Sequence, residues 1–110
     1  MMKTMDAMIP SFDIADMRAA AGTATTLLRV LANEDRLLLL CQMSAGEKSV
    51  GELEALLDIR QPTLSQQLGV LRSEGLVTTR REGKRIYYAI ADPKVVAVLG
   101  TLYELYCGKG

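Results

Sequence analysis

Histidine is absent from this 110-residue chain, and with it go the commonest general base and the commonest nitrogen ligand for zinc. Only two cysteines are present, Cys41 and Cys107, and they form no CxxC pair. Two thiols without histidine make at best a partial soft-metal site, so no metal or other cofactor is expected, and no catalytic residue is identified. A thiol redox enzyme is the enzymatic alternative, and it lacks a base, a CxxC motif and a cofactor loop. Long apolar runs are missing too. Stretches such as Leu37 to Cys41 and Val95 to Leu99 are far too short to cross a bilayer, and Asp6, Pro10 and Asp13 break the Met-rich start before a leader pattern forms. The expectation is a cytoplasmic protein with reduced thiols and no membrane partner.

Net charge is also lacking, because thirteen basic residues meet thirteen acidic ones. The distribution is uneven. Residues 60–85 hold Arg60, Arg72, Arg80, Arg81, Lys84 and Arg85 against only Glu74 and Glu82. A basic segment on an acidic body suits a protein that meets a phosphate backbone in one orientation.

No internal repeat or low-complexity tract divides the chain, which reads as an arm over 1–13 and one domain over 14–110. Helical spacing runs from Asp16 to Ala32 through Met17, Ala20, Ala21, Ala24, Leu27, Leu28 and Leu31, and the small residues from Ala19 to Ala24 would let another helix approach closely. Asn33 is placed to cap a second helix that reaches Met43 and stops at Ala45-Gly46. Ser49 and Glu52 form a capping-box signature for a short third helix ending near Asp58. Pro62 suits the first position of a fourth helix, which runs to Glu74 and closes at Gly75. Alternation then replaces helical spacing, with strands over Leu76 to Arg81 and Lys84 to Ala91 around a Glu82-Gly83 turn. Asp92 and Pro93 open a last helix with Val95, Val96, Leu99, Leu102, Tyr103 and Tyr106 as its apolar positions. The fold class is mainly α with a small β-hairpin, a winged helix-turn-helix of order α-α-α-α-β-β-α.

A capped helix offering amides and hydroxyls after a tight turn has what major-groove reading needs. Gln61, Thr63, Ser65, Gln66 and Gln67 supply those groups, and the hairpin adds Arg80, Arg81, Lys84 and Arg85 for flanking phosphates. Each feature alone has a plainer explanation, since polar helix faces are usually only solvated and basic hairpin tips often only guard a strand edge. Their order along one stretch favours double-stranded DNA as the partner. A winged-helix module that binds protein is the other non-enzymatic reading.

The segments LANEDRLLLL, SVGELEALLDIRQPTLSQQLGVLRSEGLV and TTRREGKRIYYAI, between Leu28 and Ile90, resemble the ArsR/SmtB repressors. That resemblance implies a homodimer built on the first and last helices, binding an imperfect inverted repeat upstream of regulated genes. It places Thr63, Ser65, Gln66 and Gln67 where the family reads DNA, although many members carry histidine at the position of Gln67. The apolar stripes of the terminal helices suit such a dimer.

Members that sense metal use a Cys-x-Cys in the third helix or His and acidic ligands in the last, and this chain has neither. The LLLLC run ending at Cys41 and the LYELYC ending at Cys107 instead resemble the BigR, SqrR and HlyU subgroup, which responds to reactive sulfur or oxidants. The resemblance implies thiol sensing by Cys41 and Cys107 through a disulfide or polysulfide bridge, with a small reactive sulfur species or oxidant as inducer. A soft metal or another electrophile is the alternative inducer. On residue type alone, Cys41 reads as a small buried hydrophobe and Cys107 as an inert terminal thiol.

Overall fold

A computed structural model describes residues 11–108; the first ten residues, most of the expected arm, and the last two lie outside the described residues. Helix α1, Ile14–Leu31, starts two residues before the expected Asp16 because Asp13 caps it, its carboxylate accepting from the amides of Ala15 and Asp16. Helix α2, Glu34–Met43, follows at once. Asn33 caps it as expected, with Oδ1 accepting from the Arg36 amide at 3.0 Å.

A two-residue strand β1, Lys48–Ser49, was not foreseen. Two residues are too few to display alternation, and Ser49 also carries the stronger helix signal. Ser49 is both a strand residue and the N-cap of α3, Val50–Leu57, where the reciprocal capping box forms: Glu52 N to Ser49 Oγ at 3.1 Å, Ser49 N to Glu52 Oε1 at 2.8 Å. The bond to the Ser49 amide and the hydroxyl's donation hold the Glu52 carboxyl below the usual carboxylate range.

Helix α4, Thr63–Ser73, leaves Pro62 as the residue before its first turn, not inside it as expected. Its other end is a Schellman motif, with Leu76 N on Leu71 O and Gly75 N on Arg72 O, both at 3.0 Å, and Gly75 at φ +77°. The hairpin comprises β2, Val77–Glu82, and β3, Arg85–Ile90. Its turn is Gly83-Lys84 and not Glu82-Gly83, because Glu82 pairs with Arg85 and only Gly83, at φ +64°, can take the first turn position without a Cβ clash. Strand β3 is central in the antiparallel order β1-β3-β2, with Lys48 opposite Tyr88. Helix α5, Pro93–Cys107, opens on the Asp92 cap with proline in the first turn.

Leu39 and Leu40 of α2, Leu53 of α3, Leu64, Leu68 and Leu71 of α4 and Val95 of α5 are fully enclosed. The core therefore sits under the helix-turn-helix and the start of α5. The long terminal helices share little of it. Helix α1 buries only Val30 and Leu31, and α5 only Val95 and Leu99. No helix among the described residues is long and apolar enough to cross a membrane.

Candidate nucleic-acid interface and thiol pair

At 100° per residue, the buried Leu64, Leu68 and Leu71 fix which way each remaining α4 residue points. Gln66, Gly69 and Ser73 lie opposite the core and are exposed. Ser65 and Arg72 fall on the flank toward the hairpin. Gln67 falls on the other flank, half-buried beside α2, and Thr63 is half-buried at the first turn.

The expected reading residues are thus drawn into different tasks. Gln61 Oε1 accepts from both the amide and the hydroxyl of Ser65, at 3.2 and 2.6 Å, closing the start of a helix that has no other side-chain cap. Gln67 Oε1 accepts from the Arg36 guanidinium at 2.8 Å. Gln66 keeps its amide facing solvent.

Between α3, α4 and the hairpin lies an open cleft of about 750 Å³, with Ser65, Arg72, Lys84 and Arg85 among its lining. Arg72 joins the hairpin cations here although its sequence position did not mark it as a site residue. Its spacing of seven from Ser65 was the signal. Arg81, Lys84 and Arg85 form no salt bridge among the described residues. Arg80 differs. Glu47 clasps it from the loop before β1, Glu82 Oε1 accepts from it at 2.8 Å, and its guanidinium stacks over Tyr87, 4.5 Å from the ring centre. Donation from Arg80 holds the Glu47 carboxyl below its ordinary range. Arg81, Lys84 and Arg85 are exposed.

Cys41 lies on α2 and Cys107 closes α5, both free and exposed. The two lie 66 positions apart in the chain, and partial burial, and then the negative charge of Cys107, hold the Cys41 thiol above its ordinary value. Among the described residues no three His, Cys, Asp or Glu side chains gather as a metal ion would need.

The terminal helices carry a further surface. Ile14, Met17, Ala21, Ala24 and Leu28 recur on α1 at alternating spacings of three and four, the heptad pattern, and every one is exposed. On α5, Tyr106 continues the Leu99 and Leu102 stripe yet is 81% exposed, with Val96 and Tyr103 beside it.

Residues 33–79 match the family described as bacterial regulatory protein, arsR family. The chain is 54% identical, over 83% of its length and 78% of the relative's, to the biofilm growth-associated repressor of Agrobacterium fabrum. The chain belongs to the arsR family. It is also 40% identical to the transcriptional activator HlyU of Vibrio cholerae, over 86% of this chain and 88% of that protein. The crystal structure of the transcriptional repressor BigR from Xylella fastidiosa superposes with a TM-score of 0.84 at 45% identity, covering 87% of this chain and 98% of that one. The fold is accordingly the winged helix of this family, and the arsR-family protein described here is a DNA-binding transcription regulator.

Proposed function

We propose that this arsR-family protein is a cytoplasmic, homodimeric repressor that occupies an inverted-repeat operator and releases it when Cys41 and Cys107 are oxidised by a reactive sulfur species. Two exposed thiols, one of which feels the charge of the other, carry this reading. They sit on α2, which packs against α4, and on the far end of α5, so a bond between them would couple the apolar terminal helices to the reading head. The relatives' names, a repressor in two cases and an activator in a third, favour repression.

One thiolate attacks the outer sulfur of a persulfide RSSH, forming a protein persulfide and expelling RS⁻. The other thiolate then attacks the inner sulfur of that persulfide and expels HS⁻. Two thiols are oxidised to one disulfide, and RSSH is reduced to RSH and H₂S. Insertion of further sulfur atoms would give a polysulfide bridge in the same place.

The dimer reading rests on the α1 heptad stripe and the exposed end of α5, which one subunit leaves unpartnered. A two-fold pair of α4 helices about 34 Å apart would meet successive major-groove faces. On each, Gln66 is the base reader, with Gln61, Thr63 and Ser65 shaping the start of the helix, while Arg81, Lys84 and Arg85 hold phosphates and Arg80 braces the hairpin.

The test joins mass spectrometry to DNA binding, using an inverted-repeat duplex selected from a randomised pool. Wild-type protein treated with glutathione persulfide should gain an intramolecular bridge and lose the duplex, whereas Cys41→Ser and Cys107→Ser should keep it. Equal release by all three proteins would overturn the thiol reading. Hydrogen peroxide as the sole effective agent would instead name an oxidant as inducer.

A further inference from the structure

Arg36 is a guanidinium that joins three helices. From the first turn of α2 it donates through Nε to Val30 O at 2.6 Å and through one terminal nitrogen to Arg29 O at 3.4 Å. These are carbonyls of the last turn of α1, where a cation is favoured by the helix dipole; Arg29 O also accepts from the Ala32 amide at 3.3 Å, whereas Arg36 is the side chain that reaches Val30 O. The other terminal nitrogen donates to Gln67 Oε1 on α4 at 2.8 Å. Arg36 and Gln67 are both half-buried.

We infer that Arg36 is a strut that sets the position of the reading helix α4 against α1, and that Gln67 is a positioning residue and not a base reader. Three observations support this. Gln67 points along the α2 flank of α4, about 100° around the helix from Gln66. Its acceptor is already taken by a charged donor, the stronger kind of hydrogen bond. The planar guanidinium alone has donors in a fork wide enough to reach α1 and α4 together, which the single ammonium of lysine does not. Any shift of α1 is thereby passed to α4 through one side chain. Since α1 bears the unpartnered heptad stripe, the strut would make the spacing of the two reading helices depend on how the subunits pair.

This inference rests on the DNA-binding reading, which Gln66→Ala tests separately: that variant should lose preference for the selected duplex over a random duplex of equal length. The strut is tested by binding of Arg36→Lys, Gln67→Met and Gln67→Glu to the same two duplexes. Gln67→Met removes the acceptor and should weaken binding to the selected duplex about tenfold. Gln67→Glu keeps the acceptor and pairs with Arg36, and should bind within about threefold of wild type. Arg36→Lys keeps the charge at the end of α1 but loses the span, and should match Gln67→Met, with the double variant Arg36→Lys/Gln67→Met no weaker than either single one.

A base-reading Gln67 predicts a different pattern. Glutamate would then set a carboxylate against the DNA, so Gln67→Glu would be the weakest binder, and reselection with Gln67→Met would change the base preferred at one position. Either result overturns the inference, as does a double variant whose loss is the product of the single losses. If Arg36→Lys proves too unstable to assay, the order of Gln67→Met and Gln67→Glu decides alone.

Discussion

Leu28 stands 56% exposed near the C-terminal end of the α1 heptad stripe, and Leu56 stands 55% exposed on α3, away from both terminal helices. The two leucines are matched in residue type and exposure and differ only in whether the proposed dimer covers them. Burying a whole leucine side chain is worth about 1.5–3 kcal/mol, so covering the exposed half of Leu28 contributes about 1 kcal/mol. A two-fold interface contains the residue twice, giving about 2 kcal/mol per dimer, or roughly 30-fold in its dissociation constant. Leu28→Ala should therefore shift the monomer–dimer midpoint to about 30-fold higher protein concentration in sedimentation equilibrium, while Leu56→Ala leaves it in place. DNA affinity should fall in step with the dimer. Should Leu28→Ala leave the midpoint unmoved, or Leu56→Ala shift it as far, the heptad stripe is not the interface and the assignment of α1 fails.

The remaining expectations concern the thiols, the hairpin and the cap. Cys41 should react with iodoacetamide at pH 8 more slowly than free cysteine, since its raised pKa leaves less thiolate, with reactivity emerging only as pH climbs through that higher value. Cys107→Ser removes the like charge but not the burial, so it should accelerate Cys41 alkylation part of the way to the free rate; no acceleration would mean that the sulfurs do not interact. Lys84→Gln and Arg85→Gln should each lower the slope of log affinity against log salt by about 1.8, since the dimer carries each residue twice, whereas Arg80→Gln should alter it less because Glu47 and Glu82 already neutralise that charge. Equal slopes for all three variants would contradict this division. Ser49→Ala should cost about 1 kcal/mol in urea unfolding through loss of the α3 cap, a larger effect than Ser73→Ala, whose hydroxyl bonds only the Val70 carbonyl behind it in the same helix.

Helix boundaries were legible where the chemistry is local. Asn33, Ser49 with Glu52, Gly75, and Asp92 with Pro93 act on amides and dihedrals within a few residues, so each worked as its neighbours alone would dictate. Asp13 obeys the same rule, but it lies ahead of the apolar spacing that marks the helix, which begins at Met17. The hairpin turn lies one residue beyond Glu82-Gly83, since Glu82-Gly83 and Gly83-Lys84 are equally plausible dipeptides until the pairing of Glu82 with Arg85 chooses the register.

From the sequence by itself came the winged-helix order, the basic stretch of 60–85 and the two cysteines, because periodicity, capping and charge are properties of neighbouring residues. Only the tertiary structure decided which of those groups are free to act. Arg36 meets Gln67 across 31 positions, Arg80 meets Glu47 across 33, and the charge of Cys107 acts on Cys41 from a helix at the other end of the chain. Contacts so distant leave no repeat in the chain, since a hydrogen bond depends on where two side chains arrive and not on how many residues lie between them.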